Sequence, residues 1–284
     1  MATASAPRPL RVPRRSFAAG LDVLAAFVPA AGLFVVFLAL PLAVLIWRAF
    51  ESGEVQNNIT SDFVIDAMRL SAITSTITLV IAIGFGTPLA YLLARKEFPG
   101  KIFVDILIDI PMVLPPTVAG VALLVAFGRR GTLGQYFDDW GIELAFTTAA
   151  VVLSQVFVAA PFYVRTMKAG FESVDPLFEG VASTLGASRF RIFRTILLPL
   201  CWPSMIAGAI LCWARALGEL GATLIFAGNF QGRTQTMPLA IIGVFDAGRS
   251  ISLAIALSVI LILTAGILLL ILRLLTRGHR PLGL

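Results

Sequence analysis

Apolar residues occur in long runs along this chain, without the short alternation or the three-to-four-residue spacing of a water-soluble protein. A helix of roughly 20 apolar residues is long enough to cross the hydrocarbon core of a membrane. The sequence contains six such runs, at residues 23–47, 70–94, 102–127, 145–167, 203–227 and 251–275. The pattern therefore predicts an all-α, polytopic membrane protein with six transmembrane helices.

The polar segments between the runs define the domain organisation. We assign residues 1–20 to a basic N-terminal tail, 21–50 to the first helix, 70–275 to a core of five helices with a polar loop at 170–199, and 276–284 to a C-terminal tail. Only 13% of the chain is charged, against about 25% in soluble proteins. Most Lys and Arg residues fall on one side of this topology, and the positive-inside rule makes that side, with both termini, cytoplasmic. The net charge of +6 is then explained without nucleic acid.

Few residues are available for catalysis or metal binding. The one histidine is His279, and the two cysteines, Cys201 and Cys212, are interpreted as core residues of the fifth run. No set of metal ligands, no nucleophile with its base and no phosphate-binding G-x4-GK[ST] loop is found. The sequence therefore predicts neither a catalytic residue nor a metal site.

The polar loop is predicted to contain a helix of its own. Asp175 and Pro176 suit a helix start, and Gly186 suits its left-handed end, so a helix is expected from Pro176 to Leu185. Its apolar side chains recur every four residues, at Leu177, Val181 and Leu185. A second helix is expected to begin at Ser188 and to be broken by Pro199. Two interpretations remain open: an interfacial connector that attracts anionic lipid, or a helix that docks in a groove of a cytoplasmic partner.

The spacing of four residues in this loop resembles a known signature. Gly186 is followed after nine residues by Ile196, and then by Leu198 and Pro199. This matches the "EAA" motif, EAA-x3-G-x9-I-x-L-P, of ATP-binding cassette importer permeases. The opening departs from it, because Gly180 and Val181 stand at the Glu and first Ala positions and only Ala182 is retained. The resemblance covers about residues 70–275 and implies the fold of a type I importer permease.

Two further segments resemble those of the molybdate permeases in that family. Tungstate and sulfate permeases have similar segments. The two segments are LPPTVAGVALLVAFGRRG at residues 114–131 and RALGELGATLIFAGNFQGRTQTMPLAI at residues 215–241, in which Met237, Pro238 and Leu239 are expected to form a turn. The resemblance implies import of a tetrahedral oxyanion, most simply molybdate. Tungstate and sulfate stay open at this point.

Prolines and charges inside the runs indicate where a substrate would pass. Pro111, Pro115 and Pro116 should break the third helix, and irregular backbone in a membrane is tolerated where it faces protein or a water-filled path. Arg215 and Glu219 are four residues apart and share one helix face, either as a neutralised pair or in contact with substrate. The predicted path residues are Pro115, Pro116, Thr117, Arg215, Glu219 and Thr223.

The resemblance also implies partners. The residues expected to couple the chain to an ATPase are Leu177, Phe178, Glu179, Val181, Ala182, Leu185, Gly186 and Arg189. ATP and Mg would be bound by separate cytoplasmic ATPase subunits, so no cofactor is expected in this chain. Other expected partners are an extracytoplasmic oxyanion-binding protein, a second copy of the chain and lipid of a bacterial or archaeal inner membrane. The alternative is an ion-coupled secondary anion transporter, for which only Glu219, Asp105 and Asp109 are candidate acidic groups.

Overall fold

The computed structural model describes residues 17–248 and 251–277 and places most of them in helices. In chain order these are α1 (Phe17–Glu51), α2 (Glu54–Asn58), α3 (Asp62–Arg95), α4 (Lys101–Val113), α5 (Pro116–Phe127), α6 (Gly134–Asp139), α7 (Thr148–Ser173), α8 (Leu177–Thr184), α9 (Arg189–Ile192), a π-helical turn (Phe193–Leu197), α10 (Leu198–Leu200), α11 (Trp202–Leu217), α12 (Gly221–Ala227), α13 (Met237–Asp246) and α14 (Ile251–Arg277). The all-α class is confirmed. Residues 1–16 and 278–284, most of the two predicted tails, lie outside the described residues.

Helix α1 accounts for the first predicted span. The chain divides into two compact units, of which the first ends at Arg48 and the second begins at Ala49. The helix continues through Pro29 and Pro41, and its part from Phe27 to Glu51 is long and apolar enough to cross a membrane. Most large apolar side chains from Phe27 to Phe50 are exposed, as suits a helix surrounded by lipid.

Helix α7 is the centre of the second unit. It packs against α3 and α11, and also contacts α4, α5 and α12. The largest side chains of this core are Leu93, Tyr163, Met167, Phe171 and Leu197. Polar groups inside it are paired: the hydroxyls of Tyr163 and Thr87 lie 2.6 Å apart, and Thr78 donates to Gln155 Oε1 at 3.1 Å. Such pairing joins helices where water is absent.

Helices α3 and α7 are unbroken spans, as the second and fourth runs predict. Helix α14 occupies the sixth run. The third and fifth runs do not form single straight helices, and these two departures shape the rest of the structure.

The third run is split into α4 and α5, whose axes differ by 118°. Leu114 and Pro115 each precede a proline, a position that disfavours helical backbone, and both are extended, with ψ of 136° and 135°. Helix α4 therefore ends at Val113, and α5 begins with Pro116. The break predicted at Pro115 and Pro116 is confirmed, and it is sharper than the kink that one proline produces. Pro111 does not break the helix, because it lies within α4.

The fifth run, predicted as one helix from 203 to 227, is also interrupted. Helix α11 ends at Leu217, and α12 begins at Gly221. The buried Glu219 lies between them: one carboxylate oxygen accepts a hydrogen bond from the Ala222 N–H at 2.8 Å, and the other lies 2.7 Å from Arg215 Nη1. Glu219 thus satisfies the free amide of a helix start at membrane depth, which explains why the interruption is stable.

The segment after α12 corrects a further prediction. The residues expected to form a turn, Met237, Pro238 and Leu239, instead begin helix α13. Pro238 lies in its first turn, where its missing N–H costs nothing. The amide of Met237 donates to Ser71 Oγ of α3 at 2.8 Å, which fixes the start of this helix.

The Arg215 and Glu219 pair yields a stability prediction. Arg215→Gln should lower the free energy of unfolding by about 2 kcal/mol or more, because Glu219 is 1% exposed and would remain as a buried charge. Glu219→Gln in the same chain should recover part of the loss, because an amide oxygen can still accept from Ala222. Thermal unfolding of the purified chain in detergent measures both.

Arg129→Gln is the matched control. Arg129 pairs with Asp138 at 3.2 Å but is 73% exposed. An exposed pair contributes about 1 kcal/mol at most. Equal losses from Arg215→Gln and Arg129→Gln would contradict the assigned role of the buried pair.

Candidate functional site

The amino ends of α5 and α12 meet at two glycines, Gly120 and Gly221, which lie close to both backbone and side-chain atoms of the other helix. A Cβ atom on Gly120 would lie 2.9 Å from the Ala222 carbonyl oxygen, and one on Gly221 would lie 2.7 Å from Pro116 Cβ. Only glycine permits this separation. The two interrupted segments therefore form one joint element, which the sequence indicated only through its small residues.

The predicted path residues divide into an exposed and a buried group. Pro115, Pro116 and Thr117, here called the path surface, are exposed at the amino end of α5. Thr223 is fully buried, and its hydroxyl has no hydrogen-bond partner. Thr117 is therefore accessible at the surface of the described chain, whereas Thr223 is not.

The charge near the path surface is largely balanced. Arg215 is 28% exposed and is paired with Glu219, as the four-residue spacing predicts. With its cation shared in this way, the joint element offers a substrate mainly hydroxyl and backbone N–H donors.

A network of charges joins α4 to α7, and the sequence did not predict its cationic members. The Arg165 side chain donates to Asp109 at 2.6 Å and to Asp105 at 2.8 Å, and Lys168 donates to Asp105 at 2.9 Å. Arg165 also donates to the Asp105 backbone carbonyl at 2.7 Å. The first half of the broken span is thereby fixed to the central helix. The sequence places Asp105 and Asp109 four residues apart and Arg165 and Lys168 three residues apart, so each pair shares one helix face. The sequence does not show that these two helices are neighbours.

The predicted helix of the polar loop is observed as α8. It runs from Leu177 to Thr184, with Asp175 Oδ1 accepting from the Leu177 N–H at 2.8 Å. Gly186 has φ of +81°, and its amide donates to Ser183. The capping residues and the glycine thus act as the sequence predicts.

One face of α8 is apolar and uncovered. Leu177, Val181 and Leu185 are 68%, 52% and 82% exposed, and we call these three residues the stripe. Phe178, beside it, is half-exposed. Among the described residues nothing covers the stripe, so α8 presents it outward.

Two predicted coupling residues face the chain's own core. Ala182 is 8% exposed. Glu179 lies 2.8 Å from Arg95 Nε at the end of α3, and Arg95 also donates to the Val174 carbonyl at 2.6 Å. Sequence reasoning missed Arg95, which ties α8 to α3. These contacts anchor the helix, whereas the stripe lies free.

The second helix of the loop begins as predicted but continues further. Ser188 Oγ accepts from the Arg191 N–H at 3.4 Å, which marks the start of α9. Helical backbone then passes through the π turn and Pro199, and the 71° bend comes at Cys201. The prediction that Pro199 breaks the helix is therefore wrong by two residues, because the wider π turn lies directly before the proline, which lacks an N–H.

Comparison with solved structures shows the fold. One match is a chain of a bacterial alginate ABC transporter, solved in complex with an alginate pentasaccharide-bound periplasmic protein. Its TM-score is 0.72 at 16% sequence identity, and the match covers 93% of this chain and 96% of that chain. A chain of the MetNI methionine ABC transporter in an inward-facing conformation matches with a TM-score of 0.59 at 15% identity, over 77% and 94% of the two chains.

Comparison with known sequences shows the family. The molybdenum transport system permease protein ModB of Escherichia coli K12 is 42% identical over 215 residues, which is 75% of this chain and 94% of that protein. The molybdate/tungstate transport system permease protein WtpB of Thermococcus kodakarensis is 42% identical over 70% of this chain and 76% of its own length. The model of the binding-protein-dependent transport system inner membrane component family matches residues 86–280. The chain therefore belongs to the family of inner-membrane components of binding-protein-dependent transport systems.

Proposed function

We propose that this chain is the permease subunit of an ATP-driven importer for a tetrahedral oxyanion, and that the oxyanion is molybdate or tungstate. The observation that carries the substrate class is the 42% identity to permeases named for molybdenum and for molybdate/tungstate transport, over 75% and 70% of this chain. Two copies of the chain would enclose the path between them, since homo-oligomers are mostly symmetric dimers.

The chemistry at the path surface supports transient contact with a dianion. Thr117 can donate its hydroxyl, and the first N–H groups of α5 have no carbonyl partner within the helix. The Arg215 cation is already paired, and a few neutral donors cannot replace the hydration of a doubly charged ion. We therefore assign tight and selective binding to a separate extracytoplasmic protein that delivers the anion.

A continuous series of contacts could transmit motion from an ATPase to the path. The stripe would dock in a groove of the ATPase, since an exposed apolar helix face fits that binding mode. Helix α8 packs on α9, which leads through α10 into α11. The end of α11 holds α12 through Glu219, and α12 contacts α5. Displacement of α8 would thus reach the path surface through elements that touch at every step.

An ion-coupled carrier is the weaker candidate. Its three possible acidic relay groups, Asp105, Asp109 and Glu219, are all ion-paired. A proton or sodium ion would have to compete with a neighbouring Arg or Lys at each of them. We therefore expect uptake to depend on ATP.

Reconstitution tests this function. The chain, its co-expressed ATPase and its binding protein in liposomes should hydrolyse ATP faster with molybdate or tungstate than without, and sulfate is the comparison anion. Thr117→Val should slow transport by less than about tenfold, the cost of one hydrogen bond, and leave the apparent affinity unchanged. Thr117→Ser keeps the hydroxyl and should keep the rate. Saturable uptake by the permease without ATPase or binding protein would overturn the proposal.

The stripe gives a separate prediction. The double variant Val181→Asp and Leu185→Asp should lose the ATPase during purification but still insert in the membrane, because unpaired charges in an apolar groove cost several kcal/mol. Ser183→Asp adds a charge two residues from Val181, on the side of α8 that faces away from the stripe, and should retain the ATPase. Pull-down with tagged permease measures both, and retention by the first variant would mean that the stripe does not dock there.

We also propose that both termini and the loop containing α8 lie in the cytoplasm. With Cys201 and Cys212, both buried, replaced by alanine, a cysteine at Glu97 should react with an impermeant thiol reagent only from the cytoplasmic side, and one at Asn57 only from outside. Both positions are exposed, so each is accessible for labelling. Reversed labelling at either position would reverse the assigned orientation.

A further inference from the structure

A cleft lies between the end of α3 and the helices α8 and α9, outside the path surface and the stripe, and it includes Glu179 and Arg189 of the predicted coupling residues. Its volume is about 260 Å³. The residues that line it are Tyr91, Lys96, Glu179, Gly180, Ser183, Arg189 and Ile192. Most of them are polar, which is unusual for a surface next to membrane-spanning helices.

The lining has an excess of positive charge. Its one carboxylate, Glu179, is neutralised by Arg95 at 2.8 Å. Across residues 17–248 and 251–277, no carboxylate forms an ion pair with Lys96 or Arg189. Two cations therefore remain uncompensated in the cleft, and the Ser183 hydroxyl also lines it. These donors suit an anion with several oxygens.

The cleft lies where a membrane span ends. Helix α3 is a span that finishes at Arg95, and Lys96 follows directly. Exposed apolar side chains flank the cationic residues, namely Phe190 beside Arg189, and Ile102 and Phe103 after Lys96. Apolar groups next to Lys and Arg are typical of the depth at which lipid headgroups lie.

The helical geometry of α8 separates the cleft from the stripe. Glu179 and Ser183 each lie two residues from Val181, and two residues correspond to about 200° around a helix. They therefore face away from the stripe. A partner seated on the stripe, as in the proposed function, would leave the cleft open to a ligand of its own.

We propose that this cleft binds a phosphate group, held by Lys96, Arg189 and Ser183. The same chemistry is offered by the headgroup of an anionic phospholipid and by free inorganic phosphate. A bound phosphate would link the end of α3 to α9 and so fix α8 from the side opposite the stripe. The site goes beyond the proposed function, because it requires neither the ATPase nor the transported anion.

Native mass spectrometry of the purified full-length chain in detergent tests the site. The chain is titrated with phosphatidylglycerol, with phosphatidylcholine of the same acyl chains, and with phosphatidylglycerol in the presence of inorganic phosphate. Phosphatidylglycerol should bind more tightly than phosphatidylcholine. The double variant Lys96→Gln and Arg189→Gln should bind it about tenfold or more weakly, because it loses the attraction of two positive charges to the headgroup phosphate.

Two matched variants separate the cleft from general surface charge. Arg191→Gln with Arg194→Gln removes two exposed cations from the same segment outside the cleft and should leave the affinity within about twofold of the original. Lys96→Arg with Arg189→Lys keeps both charges and should retain binding. Equal weakening by the two glutamine variants, or equal binding of the two lipids, would overturn the site.

The remaining outcomes identify the ligand. Displacement of phosphatidylglycerol by inorganic phosphate would assign the cleft to the free anion, and no displacement would assign it to lipid. If the Lys96 and Arg189 glutamine variant binds lipid normally but loses its ATPase, the cleft instead receives an acidic group of that partner, and the proposal is wrong. The variant Val181→Asp with Leu185→Asp tests docking of the ATPase and does not alter the cleft. Failure of the docking proposal can therefore be distinguished from failure of the phosphate site.

Discussion

Unpaired backbone groups cannot be left in a membrane, and the way this chain meets that constraint determines its architecture. Two of its apolar runs are interrupted at depth, so each interruption must satisfy its own amides and carbonyls. At the third run, prolines remove donors and short-range bonds complete the turn, with the Leu114 N–H donating to Ile110. At the fifth run, Glu219 accepts from Ala222 and is itself neutralised by Arg215. The charged pair is thus part of the structure of the break itself.

The two halves of the broken third span are held in different ways. Helix α4 is fixed to α7 by charged hydrogen bonds from Arg165 and Lys168, whereas α5 is fixed to α12 by close packing of glycines. Charged contacts at a partly exposed site can exchange with water, but the close contact at the two glycines leaves no room for water. The break at Leu114 therefore separates α4, which is held by α7, from α5, which is held by α12.

Local signals in the sequence predicted local structure well. Asp175 and Gly186 bound a short helix, Ser188 begins the next, and consecutive prolines end α4, because each acts on the backbone within a few residues. The sequence could not reveal the partner of Glu179, because Arg95 lies on another helix and many arrangements of helices would satisfy the same pattern. The same limit concealed the contact of Lys168 with Asp105. It also led to the prediction of one helix where Glu219 allows α11 and α12 to be separate.

The glycine contact between α5 and α12 has a mechanical consequence. Side chains between two helices can change rotamer and absorb a small displacement, so a push on one helix reaches the other only in part. At Gly120 and Gly221 no flexible side chain separates the helices, because the nearest atoms are the Cβ atoms of Ile225 and Pro116 and the backbone of Ala222, none of which can change rotamer. Movement of α12 toward α5 would therefore press directly on α5. The same close approach means that neither glycine can be replaced by a larger residue without a shift of its neighbours.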